Sequence, residues 1–109
     1  MELHYDYWTG AFNTVLESLN RSLSQYIRHY SKVKIGITNN PVNRISGHKS
    51  GYVKWDFMVV KYKTTSTHYI NKMEKHLIKN NYNCVENEIG GGGGPKGDGD
   101  QYLYVLLKK

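Results

Sequence analysis

Lys34, Arg44, His48 and Glu74 are the residues whose types and spacing could do chemistry. Arg44 and His48 stand four apart, so on a helix they share one face. The apolar alternation before them places Lys34 on a strand whose end lies beside that helix. Three potential cations therefore converge near Gly36, as a site for a phosphate group requires. Arginine offers a planar fork to non-bridging oxygens, histidine titrates in the range useful to a base, and lysine polarises or deprotonates a water. Glu74 brings the opposite charge. It falls inside the apolar stripe of Ile70, Met73, Leu77 and Ile78, where an unpaired carboxylate is costly. It is either a salt-bridge partner of Arg44 or Lys34, or a metal-binding or catalytic carboxylate at the edge of a pocket.

The elements that must position these groups are legible in part. Val33, Ile35 and Ile37 alternate with Lys32, Lys34, Gly36 and Thr38, the pattern of a strand burying one face. Asn40 followed by Pro41 reads as an N-cap and first helical residue, and the helix should end near Gly47 or Gly51. Asp56 to Thr64 reads as a strand, apolar on both faces and hence central in a sheet. Ser66 then caps a helix from Thr67 to about Asn80. Upstream, Phe12, Val15, Leu16, Leu19, Leu23, Tyr26, Ile27 and Tyr30 predict a helix from about Gly10 to Tyr30, capped by Thr9 and laid across a sheet. Tyr5, Tyr7 and Trp8 form a polar-aromatic lead. Gln101 to Leu107 is a strand by residue type.

Between the last helix and the last strand, Asn83 to Ile89 reads as a short strand or extended link. Gly90 to Gly94, Pro95, Lys96, Gly97, Asp98 and Gly99 follow as an irregular loop. It is either a flexible linker or a place where the backbone passes close to a ligand. It is not a Walker A loop, because glycine follows Lys96 and no helix opens there.

Lysine and arginine number 15 against 9 acids, a net charge of +6 over 109 residues, so a single domain with an anionic partner is expected. Ten tyrosines and two tryptophans among those cations tilt the expectation toward nucleic acid. Cys84 is the only cysteine, which excludes an intrachain disulfide and a cysteine-rich metal site. A reducing, intracellular setting fits, in the cytoplasm, nucleoid or nucleus. No signal segment and no apolar run near the roughly 20 residues of a membrane span is visible. His4, His29, His68 and His76 show no ligand spacing.

Over about Lys32 to Gly94 the chain resembles the GIY-YIG nucleases, small α/β domains that cut phosphodiesters with a metal. Lys34-Ile35-Gly36 stands where that family has its second motif, with lysine in place of tyrosine. Thr38-Asn39-Asn40-Pro41 and the spacing to Arg44 match the family's turn and arginine helix. Glu74 matches its metal-binding glutamate, and Asn87 with the following glycines resembles the segment that closes its site. The first motif, a glycine-isoleucine-tyrosine strand ahead of the second, is absent. A permuted replacement is expected from Tyr102-Leu103-Tyr104-Val105, paired beside the Lys34 strand.

The resemblance implies an α+β fold, a small, mainly antiparallel three-stranded sheet flanked by helices. Residues 1–31 would be an added helical extension, 32–94 the core, and 95–109 a loop and strand. It also implies a metal-dependent endonuclease acting on nucleic acid, with DNA expected over RNA. Glu74 would hold Mg²⁺ or Mn²⁺, with Lys34, Arg44, His48 and Tyr104 catalytic. Gly36, Asn40, Tyr102, Asn87, Gly91, Gly92 and Lys96 would meet the substrate. The alternative is a non-cleaving nucleic-acid or nucleotide-binding module on the same scaffold. With so little surface beyond the site, a homodimer through the N-terminal helix would be one route to specificity.

Overall fold

The computed structural model describes residues 1–49, 54–81, 84–85 and 99–109. Among the described residues seven elements follow one another: β1 (Glu2–Trp8), α1 (Phe12–His29), β2 (Lys32–Thr38), α2 (Pro41–Lys49), β3 (Phe57–Thr64), α3 (Thr67–Asn81) and β4 (Gln101–Lys108). The strands of the described residues form one sheet in the order β1-β3-β4-β2. β4 runs antiparallel to both β2 and β3, and β1 runs parallel to β3.

The local signals place most of these boundaries. The Asn40 side chain accepts a hydrogen bond from the backbone N–H of Asn43 at 3.2 Å, starting α2 at Pro41 as the Asn-Pro pair predicts. Ser66 does the same for α3, accepting from the Tyr69 N–H at 3.1 Å. α1 departs from expectation at its start. Its N-cap is Ala11, with no side-chain cap bond, and Thr9 plays no such part. Gly10 turns the chain there with φ of 118°, a conformation glycine adopts without a Cβ penalty, so the helix begins beyond it. α2 runs through Gly47 to Lys49, and Gly51 lies outside the described residues.

The three-stranded, mainly antiparallel sheet is a correction: β1 adds a fourth, parallel strand. It escapes the apolar pattern because it is an edge strand exposed almost throughout, with Leu3 half-buried as its anchor. The alternation of Leu3, Tyr5 and Tyr7 with His4 and Asp6 is its residual period-two trace. Residues 1–31 are accordingly a strand and a helix, and the strand belongs to the sheet.

Both sheet faces are covered. On one, Val33, Ile35, Ile37, Leu103, Val105 and Leu107 pack against α1 and α3. On the other, Met58, Val60, Tyr104 and Leu106 pack beneath Ile45 of α2 and Trp55. A bulge in β3 divides the two sets. Val60 opposes Tyr104 while Tyr62 opposes Leu103, so one residue is inserted and Tyr62 turns to the α1 and α3 side. Lys61, at the inserted step, is only 4% exposed. Its ammonium donates to Asp6 Oδ2 of β1 at 3.0 Å and lies over the Tyr26 ring of α1, 5.6 Å from the centroid. A buried ammonium so paired ties the added strand to the helix that follows it.

Candidate functional site

The last strand pairs beside the second, as the permuted arrangement requires. β4 runs antiparallel to β2 with Gly36 opposite Tyr104, Lys34 opposite Leu106 and Thr38 opposite Tyr102. Residues directly opposite one another share a sheet face, so Lys34, Gly36, Thr38, Tyr102 and Tyr104 all look toward α2. The side chain of Tyr104 crosses the sheet over Gly36. A Cβ added at Gly36 would overlap Cζ and Oη of that ring. Glycine is needed at the third residue of Lys34-Ile35-Gly36 because another side chain lies in its place.

Tyr104 is 3% exposed, and its hydroxyl lies 2.8 Å from His48 Nε2. α2 brings that imidazole over the sheet, and the two rings meet edge to face with centroids 5.6 Å apart. Burial, and then the positive charges of Lys34 and Arg44, hold His48 below its ordinary value of 6.5, so it is neutral at pH 7. A histidine in the last turn of a helix would otherwise gain charge from the macrodipole. Here desolvation and two neighbouring cations act the other way. In the tautomer carrying its proton on Nδ1, His48 Nε2 accepts from the Tyr104 hydroxyl.

Burial pushes the Tyr104 phenol up to about 12; Arg44 works against that rise and Glu74 adds to it. The hydroxyl therefore lies in the field of both the arginine and the glutamate. Glu74 is 3% exposed on α3, and burial raises its carboxyl to about 7 against the opposing charge of Lys75. Of the two readings of Glu74, the salt bridge to Arg44 or Lys34 is not formed. Ion pairs among the described residues are His4–Glu2, Lys61–Asp6 and Lys63–Asp100. Arg44 is exposed and borders an open polar depression of about 270 Å³ with Thr38, Asn39, Asn40, Asn43 and Gly47. Thr38 Oγ1 accepts from the Asn40 N–H at 3.0 Å, which shapes the turn between β2 and α2.

Five of the residues singled out in the sequence, Lys34, Arg44, His48, Glu74 and Tyr104, are thus linked by hydrogen bonding or electrostatics. Gly36 lies beneath the Tyr104 ring, with Tyr102 two residues away along β4. Asn40 caps α2 at the rim. Asn87, Gly91, Gly92 and Lys96 lie outside the described residues, as do the glycine loop Gly90 to Gly94 and the link from Asn83 to Ile89 apart from Cys84 and Val85. The hydrogen bond between His48 and Tyr104 had no sequence signal beyond the type of each residue, because 56 positions separate them.

Glu74 is the one carboxylate that the sequence reading offers to a hard divalent cation. No group of three or more His, Cys, Asp or Glu gathers among the described residues. Glu74, however, is nearly buried, without an ion-pair partner among those residues, and raised by desolvation, so a nearby cation would stabilise its charged form. Mg²⁺ and Mn²⁺ keep much of their hydration and need few protein ligands.

Comparison of the chain with family models, with curated proteins and with solved structures returns no match. No helix of the described residues is long and apolar enough to cross a membrane.

Proposed function

We propose that the chain is a divergent, permuted nuclease of the GIY-YIG kind that hydrolyses phosphodiester bonds in nucleic acid, DNA before RNA. The observation that carries this reading is Tyr104. It comes from the last strand, lies over Gly36 and meets His48 at 2.8 Å, within the field of Arg44 and Glu74.

The residues divide the work as follows. Arg44, exposed beside a polar depression, takes the non-bridging oxygens of the phosphate in its fork. The Tyr104 oxygen accepts a proton from the attacking water while the phenolic proton passes to neutral His48 Nε2. The phenol therefore never becomes phenolate, which its pKa of about 12 forbids at neutral pH. Lys34, close enough to lower His48, stabilises the negative charge that builds on the water oxygen. Glu74 would hold the Mg²⁺ or Mn²⁺ ion. When bound, that ion supplies charge neutralisation at the phosphate and at the leaving 3′ oxygen.

Incubating the purified chain with labelled single-stranded and duplex DNA and RNA, in Mg²⁺, Mn²⁺ or EDTA, tests this directly. Divalent-dependent cleavage that Glu74→Gln abolishes, with an unchanged circular dichroism spectrum, is the expected result. Nucleic-acid binding without cleavage in either metal defeats it. That outcome belongs to a non-cleaving binding module, a reading favoured by one observation: with a pKa of about 7, Glu74 is substantially protonated at neutral pH and is then a poor metal ligand.

A further inference from the structure

The face of the sheet that carries Tyr104 continues beyond α2. Tyr5 of β1 opposes Val60 of β3, Val60 opposes Tyr104, and Tyr104 opposes Gly36, so the four form one row across the sheet. Tyr5 is 53% exposed and lies two strands from Tyr104, roughly 10 Å away at the usual strand spacing. A second row runs beside it. Lys63 opposes Tyr102, which opposes Thr38 at the polar depression next to Arg44. Tyr7, 42% exposed, lies beneath the Lys63 ammonium, 5.8 Å from its ring centroid. Lys63 also pairs with Asp100 at 3.5 Å, the acid met on this stretch. Trp8 is excluded from the row, since it opposes Tyr62 beyond the bulge and faces α1 and α3.

Tyr5 and Tyr7, two residues apart on one face, stand roughly 7 Å from each other. Open tyrosine rings beside the Lys63 ammonium, with Arg44 at the far end, suit nucleobases stacking on the rings while phosphates meet the charges. A duplex buries its base faces in its own stack and offers nothing to such rings. We propose that Tyr5, Tyr7, Lys63 and Tyr102 form a stacking track for an unpaired nucleic-acid strand, leading into the site at Tyr104 and Arg44. The strand's delivery for cleavage rests on the nuclease reading above; its binding to the track does not.

The test is therefore binding in EDTA, where no cleavage occurs, by fluorescence anisotropy with labelled oligothymidylate and a blunt duplex of equal length. The full chain should bind the single strand at least about 10-fold more tightly. Replacing both rings, Tyr5→Ala with Tyr7→Ala, should weaken that binding by about 10-fold or more and leave duplex binding unchanged. Tyr5→Phe with Tyr7→Phe, which keeps the rings, should restore it. Equal affinity for the duplex, or single-strand affinity indifferent to loss of the rings, overturns the proposal. Because the alanine variant could unseat β1, ring-proton shifts of Tyr5 and Tyr7 in the unaltered chain give a second measurement. Oligothymidylate must move them, and unmoved signals at saturation refute the track. Cleavage without ring-dependent binding would refute the track and leave the nuclease reading. Ring-dependent binding without cleavage would do the reverse.

Discussion

The Tyr104 hydroxyl and His48 Nε2 lie 2.8 Å apart, one on the last strand and the other on the short helix after β2. That contact makes Tyr104 more than a stacked ring, because its oxygen is buried and committed to a partner. Tyr104→Phe therefore removes a buried hydrogen bond and should cost about 1–2 kcal/mol in stability. If the relay operates, cleavage should fall by roughly 10²-fold or more. Denaturant unfolding and turnover measured on the same variant check both parts. His48→Ala should lower turnover by a similar factor, and the double variant should lose little more than either single one, since both act on one proton path.

Gly36→Ala places a methyl group where the Tyr104 ring lies. Overpacking of this kind costs about 1–3 kcal/mol. Because the displaced group is the phenol proposed to relay the proton, activity should fall further than stability does. Pairing Gly36→Ala with Tyr104→Ala, which removes the clash, should recover part of the stability and none of the turnover. Thermal unfolding of the four chains in the cycle decides it.

Glu74 makes stability depend on pH in a stated direction. Its folded carboxyl is raised to about 7 from an ordinary 4.5, so the folded state holds this proton more tightly than the unfolded chain. The contribution is fully present below the ordinary value and is lost as pH rises through about 7. Relative to the Glu74→Gln variant, the unaltered protein should lose about 3 kcal/mol between those limits, with no further change above them. Mg²⁺ or Mn²⁺ should offset that loss. At pH 8 either ion should raise the unfolding midpoint of the unaltered chain and not that of Glu74→Gln, whereas at pH 5 neither ion should act on either protein. A calorimetric series over pH, with and without metal, makes the comparison.

Asp6 is exposed, yet its partner Lys61 is buried. Asp6→Asn leaves an ammonium in the sheet without its counter-charge and should destabilise by about 2 kcal/mol. Glu2→Gln, on the same strand but paired among the described residues with exposed His4, should change stability by less than about 0.5 kcal/mol. Hydrogen exchange of the β1 amides, faster in Asp6→Asn alone, would locate the effect.

What the sequence by itself determined is local. The alternation around Ile35 determined β2, Asn40 and Ser66 determined where α2 and α3 begin, and the place of Glu74 among Ile70, Met73, Leu77 and Ile78 determined its burial. Each rests on contacts a few residues apart, which periodicity and capping report directly. The pairing of β4 with β2 was legible only as a requirement, since nothing within either strand names its neighbour.

Only the tertiary structure decided that Tyr104 lies over Gly36, that its hydroxyl meets His48, and that Glu74 has neither Arg44 nor Lys34 as an ion-pair partner. β1 was likewise decided there. Its residues are too exposed to carry an apolar pattern, and it is held by backbone pairing to β3 and by the Lys61–Asp6 ion pair. The physical reason is shared: strand order and register depend on which chain segments meet, and residues 56 positions apart can meet at one atom only after the sheet has formed.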